Sequence, residues 1–221
     1  MLRCAVSGAR PRLTVYDGLV AAISSENELR ALHPAPKERT LRKQLDRLDR
    51  HCRRFIELAP FVVMATADAE GHMDATPRGG DAGFVTVVDE YTLLLPDRPG
   101  NNRLDSLSNL TEHPEIGLLF MIPGVDETLR VNGTVELRTD AEMAEPFRIG
   151  RRAPAVVLRI TVREAYLHCA KALMRSHLWD AKAQIDRSEL PTLGEMLRDQ
   201  VGSGKAETQT EMVARYRQEL Y

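Results

Sequence analysis

The sequence has few of the residues that build disulfide frameworks and metal sites. Its three cysteines, Cys4, Cys52 and Cys169, are far apart and form no CxxC pair. Separated cysteines give no disulfide framework, so we expect a reducing, cytoplasmic compartment. The six histidines are scattered, with no HExxH pattern and no zinc-type His/Cys spacing. The sequence therefore predicts that the protein has no metal site.

Long apolar runs and an excess of one charge are also missing. No apolar run approaches the ~20 residues that span a membrane, and residues 1–10 are too short and too polar for a secretory signal. The 30 basic and 32 acidic side chains leave a formal charge of −2, which argues against nucleic acid as a partner. A content of 43% apolar and 28% charged residues is typical of one globular domain with accessory helices.

The chain before residue 59 is predicted to be a helical extension that packs on the following domain. Its main signal is at residues 38–58, where charged side chains separate apolar ones at helical spacing. Pro60 marks the end of this pattern. The apolar positions of the predicted amphipathic helix are Leu41, Leu45, Leu48, Cys52, Phe55 and Ile56.

From Phe61 the pattern changes to short strands. Strands are predicted at residues 61–67, 73–80, 84–88, 91–95, 116–122, 129–137 and 155–162, with one helix at 102–112. Several short strands with turn signals favour an antiparallel barrel over a βαβ sheet. After residue 180 the chain turns helical, with capping boxes at Thr192–Glu195 and Thr208–Glu211. The predicted fold class is mainly β with flanking helices.

The most informative segment runs from Leu93 to Asp105. An apolar strand leads into a Pro/Gly turn, and a helix then opens with Arg98, Asn101, Asn102 and Arg103 at its start. Unpaired N–H groups and a partial positive charge at a helix N-terminus favour an anion, and arginine adds forked donors that suit phosphate. The alternative is that an asparagine caps the helix and the arginines are solvated. Since the overall charge is balanced, a small anionic ligand is favoured over a polyanion.

An ordered set of motifs carries a resemblance to a known family. It comprises Thr76-Pro77-Arg78-Gly79-Gly80, Leu94-Leu95-Pro96-Asp97, the loop from Arg98 to Arg103, His113 to Phe120, and Leu129 to Gly133. This succession resembles the pyridoxamine 5′-phosphate oxidase-like flavoproteins. The forms RPGNNRLDSL and ETLRVNG are similar to those of a bacterial FMN-dependent subgroup. The resemblance implies an FMN-binding split β-barrel of Greek-key type, with six to seven antiparallel strands. We place it at residues 59–180, after an extension at 1–58 and before C-terminal helices at 181–221.

The resemblance also implies a homodimer that binds FMN in clefts between its subunits. Arg78, beside Gly79, is expected to contact the FMN phosphate or ribityl chain. The backbone of Leu94, Leu95 and Pro96 would lie along the flavin ring. The phosphate would be bound by the residues at the start of the crossing helix, which are Arg98, Asn101, Asn102 and Arg103.

Four further residues are candidates with open alternatives. Arg130 lies on the polar face of its strand, where it either contacts flavin or is a solvated barrel residue. Lys171 and Arg175 share one side of a helix if residues 166–176 are helical. There they either place positive charge beside the flavin, which tunes its redox behaviour, or form a surface stripe. Trp179, the only tryptophan, either stacks on the ring or substrate or covers the core.

The function expected from these features is an FMN-dependent oxidoreductase that acts on an unknown small substrate. The Arg- and Trp-rich C-terminal segment that closes over the vitamer in true pyridoxamine phosphate oxidases has no counterpart here, which argues against vitamin B6 oxidation. No general base is evident in the sequence, in keeping with hydride or electron transfer. The alternatives are a non-catalytic FMN-binding or flavin-sequestering protein and a dimer that binds a small anion without flavin.

Overall fold

The computed structural model describes residues 22–220, which fall into two compact units. The first contains the described residues up to Leu41. Its helix α1, Glu26–Ala31, is capped by Ser25, whose side chain accepts a hydrogen bond from the Glu28 N–H. Helix α2, Glu38–Arg42, follows at the end of this unit. Residues 1–21 of the predicted extension lie outside the described residues, and the three-part division of the chain stays a prediction.

The second unit, which begins at Arg42, is built on an antiparallel seven-stranded sheet. Its order is β2-β1-β5-β6-β7-β4-β3, so the β1–β5 and β4–β7 ladders join strands that are distant in the chain. This arrangement confirms the predicted fold class, a split barrel with flanking helices. The strands are β1 Phe61–Ala67, β2 Met73–Gly79, β3 Thr86–Val87, β4 Thr92–Pro96, β5 Glu115–Met121, β6 Thr128–Arg138 and β7 Val157–His168.

Helices flank this sheet along the chain. Short 3-10 turns occur at Glu145–Phe147, Ala181–Ala183 and Arg187–Glu189. Both capping boxes predicted near the C-terminus are formed, by Thr192 with Glu195 and by Thr208 with Glu211. The α-helices are α3 Arg50–Leu58, α4 Asp105–Glu112, α5 Ala141–Ala144, α6 Lys171–Ser176, α7 Leu193–Val201 and α8 Gln209–Glu219.

The core lies on one face of the sheet, where alternate strand residues are buried. On β1 the burial alternates strictly along the strand, as expected for a half-covered sheet. Helices α3 and α4 cover that face with Cys52, Ile56, Leu107 and Leu110. Burial of the Cys52 thiol raises its pKa to about 12, which keeps it an apolar packing residue.

The prediction of one continuous helix at residues 38–58 is wrong in one respect. The chain forms two helices there, α2 and α3, separated by residues 43–49. In the break, Leu45 and Ala165 exchange two backbone hydrogen bonds of 3.0 and 2.9 Å, and the Leu48 N–H donates to the Glu90 carbonyl at 2.8 Å. Asp49 then caps α3 by accepting from the N–H groups of His51 and Cys52. The main chain of this segment therefore bonds to β7 and to the turn before β4 rather than to its own preceding turn. Its periodicity still identified the buried side chains of α3.

Three other predicted boundaries also differ from the structure. Strand β7 continues to His168 instead of ending at 162, so the helical pattern considered for 166–176 is confirmed only from Lys171 onward. The strand predicted at 84–88 shortens to β3, and α4 begins at Asp105 rather than 102.

The long β6–β7 ladder contains a register shift between Asn132 and Gly133. A Cβ on Gly133 would lie 2.2 Å from the Thr161 carbonyl oxygen, which explains the glycine.

Candidate functional site

A cleft of about 930 Å³ opens where β2 and β4 end and α4 begins. The sequence-predicted residues that line it are Arg78, Gly79, Pro96, Arg98, Asn101, Asn102 and Arg103. The β1–β2 hairpin delivers Arg78, and the β4 exit delivers Pro96 and the loop that follows it. The structure thus brings together residues that are about twenty positions apart in sequence, as the anion-site hypothesis requires.

Arg78 is a half-buried residue of this cleft that is held by an ion pair. Its Nη1 donates to Asp97 Oδ1 at 3.0 Å, and the two side chains are only 23% and 22% exposed. The Asp97 N–H donates to the Val156 carbonyl, which anchors this partner at the start of β7. The Arg78 Nε is buried and has no hydrogen-bond partner in the described part of the chain. A buried unpaired donor is unfavourable, so Arg78 retains a donor that an acceptor in the cleft would satisfy.

The loop between β4 and α4 holds the other arginines. Arg98 Nη1 donates to the Phe147 carbonyl at 2.8 Å, which ties the loop to the β6–β7 connection. Arg103 Nε donates to Asp105 Oδ2 at 2.8 Å, and this hydrogen bond, followed by the carboxylate charge, raises the pKa of Arg103. Asn102 and Leu104 both have left-handed backbone, with φ of 57° and 60°. Non-glycine residues in this region are uncommon and mark a loop with a specific shape.

The N-terminus of α4 is not capped by either asparagine, so the capping part of the alternative left open by the sequence is wrong, whereas Arg103 is exposed as that alternative expects. Leu104 is the N-cap residue, and no side chain caps the helix there. Asn101 instead accepts from the Arg103 N–H at 3.1 Å within the loop. Ser106 donates to the Asp74 carboxylate and joins α4 to β2. The first-turn N–H groups of a helix without a side-chain cap are suited to an anionic acceptor.

Six predicted site residues have side chains that do not line this cleft. Leu95 is buried in the main core, and Leu94 packs on a small cluster that includes Phe147. Arg130 donates to the Tyr166 hydroxyl at 3.0 Å, and the Trp179 indole N–H donates to the Val125 carbonyl at 2.9 Å. Lys171 and Arg175, the other two, lie on α6.

Arg130 belongs to a polar cluster elsewhere on the sheet. Lys43 Nζ and Arg130 Cζ lie 5.3 and 5.6 Å from the centre of the Tyr166 ring, and the His168 ring centre is 5.0 Å from that of Tyr166. Burial, together with the charges of Arg130 and Lys43, lowers the pKa of His168. Next to it, the backbone N–H and charge of Lys171 lower the pKa of the exposed Cys169 thiol. This region is electropositive.

The sequence did not indicate two contributions to the cleft. One is Arg152, from the connection between β6 and β7. The other is the end of α8, where Arg215 donates to both carboxylate oxygens of Glu207 at 3.0 and 2.8 Å. No local motif marks either contribution, because both reach the cleft only through tertiary packing. The residues there that line the cleft are Arg215, Tyr216, Gln218 and Glu219 of α8 and Leu220, which follows the helix.

Comparison with known families assigns the chain. A family model described as pyridoxamine 5′-phosphate oxidase matches residues 48–169. Because this match spans more than half of the 221 residues, the protein belongs to the pyridoxamine 5′-phosphate oxidase family. The matched region contains the whole seven-stranded sheet and the arginine loop, whereas α7 and α8 lie outside it.

Solved structures with a similar fold include three bacterial proteins. Tagged HupZ from Group A Streptococcus is 20% identical with a TM-score of 0.43, over 53% of this chain and 90% of that one. An FMN-binding protein from Syntrophomonas wolfei is 10% identical with a TM-score of 0.40, over 53% and 88%. General Stress Protein 26 from Bacillus anthracis is 12% identical with a TM-score of 0.40, over 53% and 93%.

No curated protein matches the chain. Within residues 22–220, no helix has both the length and the apolar character needed to cross a membrane.

Proposed function

We propose that the protein binds FMN in the arginine-lined cleft and acts in the cytoplasm as an FMN-dependent oxidoreductase on a small substrate. The observation that carries this proposal is Arg78, which lies in the family-matched region at the wall of the cleft and whose buried Nε has no hydrogen-bond partner among residues 22–220. A terminal phosphate supplies the acceptor that this donor lacks.

The residues of the cleft fit a phosphate monoester. A dianion needs several charge-assisted donors to offset its lost hydration. Arg78 and Arg103 are each held by one carboxylate, Asp97 and Asp105. A guanidinium has five N–H donors, so each ion pair leaves donors for a ligand. The half-buried pair of Arg78 with Asp97 also holds its side chain in place. The first turn of α4 adds backbone N–H groups at the same end of the cleft.

In the proposed flavoprotein, FMN and the polypeptide chain would make different contributions to the reaction. Bound FMN supplies the redox chemistry, and the chain supplies binding, orientation and electrostatics. Four carboxylates line the cleft, and each has a partner: Asp97 accepts from Arg78, Asp105 from Arg103, Asp74 from Ser106 and Glu219 from Arg215. The pairing of all four carboxylates suits electron or hydride transfer with little proton handling by side chains.

We further propose that a homodimer completes the site. Arg130, Lys171, Arg175 and Trp179 do not line the cleft that contains Arg78 and Arg103. If these four residues contact a flavin, the cleft they serve is that of a second copy of the chain. This proposal combines the family expectation with the separation of the two groups of residues.

The experiment that tests the proposed function is spectroscopic. Protein purified without added flavin is expected to show flavin absorption or to acquire it on titration with FMN, and mass spectrometry of the heat-released ligand should find FMN. Reduction by NADH or NADPH and turnover with an acceptor would support the oxidoreductase. If FMN binds but is neither reduced nor turned over, the protein is a flavin-storage protein instead. The pairing of the cleft carboxylates with other side chains is compatible with that role as well. Failure to bind FMN would refute the proposal.

A further inference from the structure

The arginines that line the cleft differ in how their charge is balanced. Within residues 22–220, three of the five face carboxylates: Arg78, Arg103 and Arg215. Arg98 donates to a backbone carbonyl, which carries no formal charge. The Arg152 side chain has neither a hydrogen-bond partner nor an ion-pair partner in this described part. Two guanidiniums in the cleft therefore have no counter-charge.

The backbone of Arg152 is held in a tight turn. Ile149 and Arg152 exchange two backbone hydrogen bonds of 2.9 and 3.0 Å, and Gly150 between them has a φ of 57°. A left-handed φ is readily adopted by glycine and closes this turn without strain. The position of Arg152 is thus fixed by main-chain bonds, although its side chain is exposed.

The same connection is anchored to the rest of the cleft. Phe147, just before the turn, is 6% exposed and packs in a small core with Ala144 and Val157, against which Leu94 of β4 also packs. The Phe147 carbonyl accepts the hydrogen bond from Arg98. One buried residue therefore links the turn of Arg152, the β4 strand and the loop of Arg98.

Arg151, which precedes Arg152 in the chain, lies outside the cleft. Arg151 is absent from the wall of the cleft, whereas Arg152 forms part of it. The Arg151 carbonyl accepts a hydrogen bond from Arg148 Nη1 at 3.1 Å, on the side of the turn where Arg148 pairs with Glu145. Of two adjacent arginines with the same charge and similar exposure, only one faces the cleft. The pair therefore offers an internal comparison.

We propose that Arg152 is a phosphate-binding residue of the FMN site, where it acts together with Arg98. This inference rests on the proposed function and adds a residue to it. A phosphate monoester carries a charge of about −1.5 to −2 at pH 7. The two guanidiniums without counter-charge match that charge, whereas the arginines that are already neutralised contribute mainly hydrogen-bond geometry. Arg152 is therefore expected to distinguish FMN, which carries the phosphate, from riboflavin, which does not.

The test compares Arg152→Gln with its matched control Arg151→Gln, each titrated with FMN and with riboflavin by flavin fluorescence. Arg152→Gln is expected to raise the Kd for FMN about tenfold, as the loss of one charge-assisted bond predicts. Its Kd for riboflavin should stay within about twofold, because riboflavin has no phosphate. Arg151→Gln should bind both ligands like the wild type, and Arg152→Lys should restore part of the FMN affinity, since it keeps the charge.

The outcomes separate this inference from the proposed function. If wild type binds FMN and Arg78→Ala weakens it while Arg152→Gln does not, the inference about Arg152 is refuted and the proposed function stands. Equal losses of FMN and riboflavin in Arg152→Gln would also refute it, because they would show a loss of structure rather than of phosphate contact. If wild-type protein binds no FMN, both proposals fail.

Discussion

At the scale of single residues, the cleft depends on guanidiniums that are held in place but not saturated. Arg78 is the clearest case, with one donor on Asp97 and a buried Nε without a partner in the described chain. Its neighbours come from different strands, so the site needs the folded sheet to form. Arg78 also neutralises the charge of the half-buried Asp97. Replacing Arg78 is therefore expected to lower the stability of the fold as well as the affinity for the ligand.

We predict that Arg78→Ala weakens FMN binding by about tenfold or more, since a hydrogen bond to a charged group contributes roughly 1.5–3 kcal/mol. Riboflavin binding should change much less. Fluorescence titration at a temperature where the variant is folded measures both. The control is Arg163→Ala, an exposed arginine on β7 outside the cleft, which should leave both affinities unchanged. A similar loss for riboflavin would show that Arg78 does not recognise the phosphate.

A second residue-scale prediction concerns His168 and pH. Because burial and the charges of Arg130 and Lys43 lower its pKa in the folded protein, the unfolded chain binds a proton more readily. The stability that the neutral imidazole provides is therefore present above its ordinary pKa of about 6.5 and is lost as the pH falls through the lower, folded value. We expect the wild type to lose more thermal stability than His168→Gln between about pH 7.5 and about pH 5.5. Parallel losses in the two proteins would contradict this.

At the scale of elements, the register shift in the β6–β7 ladder requires a glycine. A Cβ at Gly133 would meet the Thr161 carbonyl oxygen at 2.2 Å, and backbone in a paired strand cannot move aside as a flexible side chain can. We predict that Gly133→Ala destabilises the protein by about 1–3 kcal/mol or more, as overpacking does. Gly100→Ala is the control, because nothing lies within 4 Å of its added Cβ. Its stability should stay within about 0.5 kcal/mol of wild type in denaturant unfolding. Equal stability of the two variants would show that the ladder tolerates the methyl group.

Sequence reasoning succeeded where a structure is encoded locally. Alternating or continuous apolar runs predicted β1 at its observed bounds, and the Thr-x-x-Glu pattern predicted both capping boxes. It failed in the segment 43–49, where helical spacing predicted a continuous helix. There the decisive bonds run to Ala165, which is more than a hundred residues away, and no local pattern contains that information.

The candidate site likewise contains residues that local sequence signals predicted and residues that only tertiary packing brings to the cleft. The arginine loop follows β4 directly, so strand, turn and helix signals predicted its location. Arg152 enters the cleft through the packing of Phe147, and the end of α8 enters it from the far end of the chain. Both contributions depend on contacts between elements that carry no motif, which is why neither could be predicted from the sequence. The long reach of β7, which places His168 beside Tyr166, was missed for the same reason.

At the scale of the whole molecule, the separation of the two groups of predicted flavin residues leads us to predict a homodimer. Arg78, Arg98 and Arg103 share one cleft, whereas Lys171 and Arg175 lie on α6 outside it. A C2 homodimer presents the same surface of each chain to its partner, so one chain's α6 is able to complete the other's cleft. Light scattering is therefore expected to give about twice the 24.8 kDa mass of one chain.

A mixed dimer tests whether the two groups act on the same ligand across the interface. One chain carries Arg78→Ala, the other carries Lys171→Met with Arg175→Ala, and different affinity tags allow the heterodimer to be purified. Each homodimer is expected to bind FMN weakly at both sites. In the heterodimer, one site receives both defects and the other receives neither, so one of its two sites should recover wild-type affinity. If all of these residues served a cleft within their own chain, each site would keep one defect and no recovery would occur. Wild-type affinity in the Lys171→Met, Arg175→Ala homodimer would instead remove α6 from the flavin site.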